Sequence, residues 1–411
     1  MKDLIVLLTK DCMPKEALPC YGGLEYWKGK TPNIDALAEK GTMFTRYYAA
    51  AASTYMSMST MLTGRYPYEF TSRRRYIQVL YGEFPSIYDT LQEMGYECHV
   101  IMGDLWLSSL KPLVGEFGNW DKVAFHNVGH ISQDTDFHPE TTYLSRDDAL
   151  LKKTVESVCA AFDAIDLSKK QFVWCHLPHI LNGRTAYMSD MDAFDDVVGY
   201  ARKRFGDDNI YLSADHGHMN MHKHIAGYGF DVYEPVINIP LITPRINGLR
   251  KCDSLLGNVD LLEILLHHRI PKERNYVYSD TKYYAQPGRK VAVVSKRYKY
   301  IYNAGDKSEE LYDLAWDPEE NYNILERYYF DKNRNRILFY DEHYFYPYKE
   351  ETMAALPELK EAWSKMWREP NWKEKARRSV REMLEKCPLI FNALISVKEK
   401  LSSKISIFKA R

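Results

Sequence analysis

Leu4-Ile5-Val6-Leu7-Leu8, followed three residues later by Asp11, sets the pattern from which the fold is read. Five consecutive apolar residues between polar ones suit a strand covered on both faces, the form that strands take inside a parallel sheet. The run is shorter than the roughly 7–15 apolar residues of a secretion signal, so it reads as a buried first strand. Similar runs recur at Cys98 to Met102, Phe172 to Cys175 and Ile210 to Leu212. Between them, Ile34 to Lys40, Ile87 to Met94, Asp147 to Ile165 and Asp190 to Phe205 carry apolar residues at three- and four-residue intervals, the period of a helix with one buried face. Alternation of the two patterns predicts an α/β fold with a mostly parallel central sheet flanked by helices. In such sheets chemistry gathers at the carboxyl ends of the strands.

After Ile264 the text changes. Lys290 to Asn303 alternates like a half-exposed antiparallel strand and runs into a turn at Ala304-Gly305-Asp306, which predicts a smaller C-terminal α+β subdomain. The expected division is 1–270 for the α/β domain, 271–325 for the small antiparallel sheet and 326–411 for an aromatic and basic helical extension. A chain of 411 residues has room for this. A net charge of -1 gives no sign of a nucleic-acid partner. The 7 cysteines form no CxxC pair and suit reduced thiols, hence a cytoplasmic setting. No apolar run approaches the 18 or so residues of a membrane span. From Lys373 to Arg411, however, lysines and arginines mix with an apolar stripe at Val380, Met383, Leu384 and Cys387, so this tail is expected to lie peripherally on the inner face of a membrane, or to pack on its own domain or in an oligomer interface.

Potential ligands and nucleophiles stand just beyond the strands. Asp11 follows the first, His179 the Phe172 to Cys175 run, and Asp215-His216 the Ile210 to Leu212 run; Thr54 closes the small-residue stretch from Ala49 before a predicted helix ending at Thr63-Gly64-Arg65. Singly, each reads as a cap or turn residue. Together, two carboxylates and an imidazole offer a site for one divalent cation, and a threonine hydroxyl needs such help to act as a nucleophile near neutral pH.

The run Thr31-Pro32-Asn33-Ile34-Asp35-Ala36-Leu37-Ala38-Glu39-Lys40-Gly41, then Phe44-Thr45 and Leu62-Thr63-Gly64-Arg65-Tyr66-Pro67, resembles the signature of the sulfatase-like branch of the alkaline phosphatase superfamily. Phe84 to Tyr96, Ser213-Ala214-Asp215-His216-Gly217 and Glu309 to Asn321 extend the likeness over roughly residues 3 to 325. The resemblance implies an enzyme with one divalent ion, Mn first and Zn, Ca or Mg as alternatives, held by Asp11, Thr54, Asp215 and His216. It makes Thr54 the nucleophile and sets His179 near the leaving group. Lys223, His224 and Arg73 are the candidate substrate-binding residues, with a solvated basic loop as the competing reading for each.

The departures matter as much. Where sulfatases carry Cys-x-Pro-x-Arg, this chain reads Thr54-Tyr55-Met56-Ser57-Met58, so formylglycine cannot form at Thr54. Cys12 replaces a second metal-binding aspartate, and Gly103-Asp104-Leu105 replaces a Lys-x-His pair that binds the sulfate ester. A threonine nucleophile is similar to phosphoglycerol and phosphoethanolamine transferases and to phosphonate and phosphodiester hydrolases. The expectation is therefore a phosphoester hydrolase or a phosphoryl transferase working through a phosphothreonine-type intermediate on a glycan or lipid-linked substrate. A sulfatase without formylglycine and a non-catalytic binding protein are the alternatives.

Overall fold

The computed structural model describes residues 2–23, 30–70, 85–103, 123–128, 148–177, 184–219, 223, 227–281, 289–326, 328–331, 336–339 and 348–366. Its first half contains β1 (Leu4–Lys10), α1 (Pro32–Lys40), β2 (Thr42–Phe44), β3 (Tyr47–Tyr48), α2 (Thr54–Thr63), α3 (Pro67–Phe70), α4 (Ile87–Glu93), β4 (Glu97–Met102), β5 (Val123–Asn127), α5 (Asp148–Asp163), β6 (Gln171–Leu177) and α6 (Arg184–Phe205). There follow β7 (Ile210–Ala214), α7 (Glu234–Ile237), β8 (Leu241–Thr243), β9 (Lys251–Cys252), β10 (Leu256–Gly257), α8 (Leu261–His267), β11 (Val277–Asp280), β12 (Lys290–Val294), β13 (Tyr298–Asn303), β14 (Glu309–Asp313), β15 (Tyr328–Asp331), β16 (Arg336–Phe339) and α9 (Lys349–Met366). Two compact units divide the chain, Met1–Trp363 and Ser364–Arg411.

β1 sits at the heart of the main sheet, whose order is β5-β4-β6-β1-β7-β8-β2-β9. It pairs in parallel with β6 on one side and β7 on the other. Ile5, Val6, Leu7 and Leu8 are at most 2% exposed, so all four are covered by helices on the sheet's two faces. Burial of each such side chain stabilises the fold by about 1.5–3 kcal/mol. β8 alone runs antiparallel to its neighbours β7 and β2. The α/β reading holds, and a small antiparallel sheet follows it in the chain.

The signature around Thr31–Gly41 proves to be architectural. Asp195 of α6 accepts from the backbone nitrogens of Asn33 (3.1 Å) and Ile34 (2.8 Å), so a carboxylate from a distant helix caps the otherwise unpaired first turn of α1. At Gly41, where α1 turns into β2, a Cβ would stand 2.3 Å from the Thr243 carbonyl oxygen, so no larger residue fits.

Two expectations change. The Lys290 to Asn303 stretch is two strands, not one: β12 and β13 form a hairpin around Ser295, whose side-chain hydroxyl accepts from Tyr298 N at 2.9 Å. Its residues are largely buried because Ala292, Val294 and Ile301 pack towards α7 while Val293 and Tyr300 pack against Leu359 and Ala362 of α9. The long helix starts at Arg184, ahead of the Asp190 at which the helical pattern of the sequence begins. Asp190 lies within it because Lys10 Nζ meets its Oδ2 at 2.6 Å, both side chains fully buried. The 373–411 tail lies outside the described residues, and no described helix is long and apolar enough to cross a membrane.

Candidate active site

Parallel pairing builds the site. Lys10 stands opposite Ala214 in the β1–β7 register, so the next residues, Asp11 and Asp215, leave the sheet side by side at its carboxyl edge. Asp11 N is anchored to the Leu177 carbonyl at 2.8 Å, and Met13 N to the His216 carbonyl at 3.0 Å. Gly217 allows the tight turn that follows, since a Cβ there would lie 2.0 Å from the Pro235 carbonyl oxygen.

His216 Nε2 is the point on which the side chains converge. Thr54 Oγ1 lies 3.0 Å from it, and Asp11 Oδ1 and Asp215 Oδ2 each lie 3.5 Å from it. The other ring nitrogen, Nδ1, sits 2.8 Å from the Gly217 carbonyl, which can only accept. A neutral His216 is thereby protonated at Nδ1 and presents the Nε2 lone pair to Thr54 and the carboxylates.

Thr54 is the first residue of α2, and its hydroxyl stands at the positive end of the helix dipole, which favours negative charge on it. The segment around Thr54 is tied to the strand ends by a short relay. Asn258 Oδ1 accepts from Ala50 N at 3.0 Å, Asn258 Nδ2 donates to Ser57 Oγ at 2.7 Å, and Ser57 Oγ donates to the Asp215 carbonyl.

Burial pushes the Asp215 carboxyl up to about 7; the nearby Asp11 carboxylate adds to this, and His216 and the Thr54 hydroxyl oppose it. Burial likewise pushes His176, the penultimate residue of β6 towards the same edge, down to about 4. Lys10, the nearest lysine in sequence, is directed to Asp190. Asp215 Oδ2 is buried and accepts no hydrogen bond of ordinary geometry. Two carboxylates brought together out of water are relieved by a proton on one of them or by a compensating cation. Asp11, Cys12 and His216 each offer a donor atom, all within 4.8 Å of one another. This donor set fits a divalent metal ion.

Residues 4–262 match the family model described as Sulfatase, which takes in more than half of the chain. The chain belongs to the sulfatase family. Two curated relatives from Bacteroides thetaiotaomicron are an N-acetylgalactosamine-6-O-sulfatase, 33% identical over 108 residues, and an N-acetylglucosamine-6-O-sulfatase, 31% identical over 99 residues. Each match covers 24% of this chain and only 20% and 17% of the respective relative. Among solved structures, a 2-O glycosaminoglycan sulfatase superposes with a TM-score of 0.64 at 15% identity, over 89% of this chain and 93% of that one. The phosphonate monoester hydrolase of Agrobacterium radiobacter gives 0.61 at 15% identity, over 89% and 96%. At such identities these likenesses speak for the fold.

Within this sulfatase-family chain the structure brings Asp11, Thr54, Asp215 and His216 together. His179, Arg73 and His224 lie outside the described residues. Lys223 is committed elsewhere: its Nζ donates to the Tyr312 hydroxyl at 3.0 Å and stands 3.9 Å from the centre of the Tyr233 ring. The Glu309–Asn321 segment ties the antiparallel sheet to α7 through fully buried Lys299, which meets Glu320 at 2.7 Å and Glu234 at 3.1 Å. Sequence reasoning passed over Asn258, Ser57 and His176. It also passed over Tyr228, whose ring centre is 4.5 Å from that of His216. Only His176 had a visible signal, as the first of two imidazoles in the Cys-His-Leu-Pro-His run.

Proposed function

We propose that this protein is a metal-dependent hydrolase or transferase of phosphorus esters with Thr54 as its nucleophile. The observation that carries the reading is the approach of Thr54 Oγ1 to within 3.0 Å of His216 Nε2, at a helix N-terminus and between two buried carboxylates. Thr54 Oγ1 gives up its proton to solvent and attacks phosphorus in line; the new Oγ1–P bond forms as the bond to the leaving oxygen breaks. His179 protonates that oxygen. A divalent cation bound by Asp11, Asp215, His216 and Thr54 would supply positive charge that favours the alkoxide and the charge developing at phosphorus. Water then releases the phosphothreonine-type intermediate, or a hydroxyl of a glycan or lipid-linked acceptor takes the group instead.

A panel of matched p-nitrophenyl phosphate, phosphodiester, phosphonate and sulfate esters tests this, with metal-stripped protein and single metals restored. Release from a phosphorus ester, lost by roughly 10⁴-fold or more in a folded Thr54→Ala variant, is the expected result. Unchanged turnover in that variant sinks the proposal. Sulfate ester hydrolysis is the second reading, favoured by the two curated relatives, both named as sulfatases. Preferential sulfate release would establish it, and silence on every ester would favour a transferase with its own donor or a binding role.

A further inference from the structure

Cys12 follows Asp11 directly and stands beside the ligand set that the family resemblance implies. Cys12 is fully buried, and its Sγ lies within 4.8 Å of both a carboxylate oxygen of Asp11 and a nitrogen of His216. Its backbone is held at φ +60°, a left-handed conformation that a side chain such as cysteine adopts reluctantly. The hydrogen bonds on either side fix it there, from Asp11 N to Leu177 and from Met13 N to His216. A chain free to relax would not keep a non-glycine residue in that region, and such strain persists only where the surroundings over-determine it. Asp215 Oδ2, buried and accepting no hydrogen bond of ordinary geometry, points to a cation at the same place independently of Cys12.

We propose that Cys12 Sγ is a ligand of the metal ion and that it makes this centre selective for zinc. The inference rests on the reading of the cluster as a metal site, and it adds a soft donor to an otherwise hard one. On binding, the Sγ–H bond breaks, an Sγ–metal bond forms and the proton leaves to solvent. Thiolate ligands favour zinc, whereas carboxylate and water ligands alone suit magnesium, calcium and manganese. A sulfur beside Asp11 thus replaces the manganese preference that the oxygen-rich set implies with a preference for zinc. It also moves electron density onto the ion, so the bound nucleophile is more basic than in an all-oxygen site.

The test is X-ray absorption at the zinc edge on the full chain loaded with one equivalent of zinc, compared with Cys12→Ser and Cys12→Asp. The expected result is a sulfur scatterer at about 2.3 Å in the wild type and none in either variant. In competition titrations the zinc-over-manganese preference of Cys12→Asp should fall by more than the ~10–100-fold that loss of an outer-shell partner costs. Should both variants fail to fold, replacing the other six cysteines by serine leaves Cys12 as the one thiol able to supply a thiolate sulfur. A wild-type spectrum with only oxygen and nitrogen neighbours overturns the Cys12 proposal while leaving the metal-dependent function standing. Sulfur retained in Cys12→Ser also overturns it, and wild-type protein that binds no metal overturns both.

Discussion

Replacing Lys10 by methionine isolates the support beneath the site. Lys10 Nζ and Asp190 Oδ2 are 2.6 Å apart with both side chains fully buried, and Lys10 Nζ is 3.3 Å from the carbonyl oxygen of Asp11. The pair therefore joins α6 to the end of β1 at the point where the chain enters the site. Methionine fills much of the lysine's volume but leaves the Asp190 carboxylate facing a low-dielectric interior, and removal of one partner from a buried pair costs roughly 3–5 kcal/mol. At about 2.1 cal/mol/K of unfolding entropy per residue, the Met1–Trp363 unit loses stability at about 0.8 kcal/mol per degree. The midpoint of thermal unfolding should thus fall by about 4–6 °C, read by calorimetry or near-UV circular dichroism. Lys10→Met/Asp190→Leu should recover most of that loss, because a packed apolar pair often equals or exceeds a buried ion pair. A Lys10→Met midpoint within about 1 °C of the wild type would refute the reasoning, as would a double variant less stable than the single one.

Asn258→Ala removes the acceptor for Ala50 N and the donor to Ser57 Oγ, both buried, and should cost about 1–3 kcal/mol in denaturant unfolding and lower kcat more than it raises KM. Metal removal should destabilise the protein, since buried Asp11 and Asp215 then lack compensating charge; re-addition at about 100 times Kd should restore about 2.7 kcal/mol, visible as a shift in melting temperature. His99 Nδ1 and His126 Nε2 are 3.0 Å apart, and burial, the larger influence on each, lowers both from the ordinary histidine value. Their unfolded forms take up protons first, so their contribution is present above about pH 6.5 and lost as pH falls below it. The acid slope of the melting temperature between pH 6.5 and 5 should flatten in His126→Phe, and an unchanged slope would exclude this pair as its source. Deletion from Lys373 onward should weaken binding to anionic liposomes and spare hydrolysis of small esters; unaltered liposome binding would leave the tail as a packing element.

The parallel core was legible because each central strand is covered on both faces and so must be apolar without interruption. The edges were not. β5 exposes most of its residues, β8 spans three residues and reverses direction, and β9 spans two, so none leaves a run long enough to register. The β12–β13 turn escaped notice because Ser295-Lys296-Arg297 contains no glycine, proline or asparagine. Helix α6 escaped at its start because Asp190 looks like a cap, and only the fold supplies the lysine that allows it inside. Asn258 follows Thr54 by some two hundred residues, and nothing local marks it as the support of the Thr54 loop.

Residues that converge from separate strands were nevertheless visible, and the reason lies in the register. Asp11 and Asp215 occupy the same step beyond paired strands, so any two acidic residues at those offsets must meet once β1 and β7 pair in parallel. Thr54 arrives by another route, at the first turn of a helix held against Asp215 through Ser57 and Asn258. That support makes no use of a cysteine, a proline or an arginine around the nucleophile. The scaffold can therefore keep Asp11, Thr54, Asp215 and His216 together while the motif for formylglycine is absent. On the proposed reading the choice between phosphorus and sulfur falls to Thr54: an unmodified hydroxyl forms a stable ester link, and only a step that breaks the Oγ1–P or Oγ1–S bond again would make it a catalyst. Trapping that ester after rapid acid quench, and identifying by mass whether Thr54 carries phosphorus or sulfur, would separate the two chemistries directly; an unlabelled Thr54 during steady turnover would refute covalent catalysis at this residue.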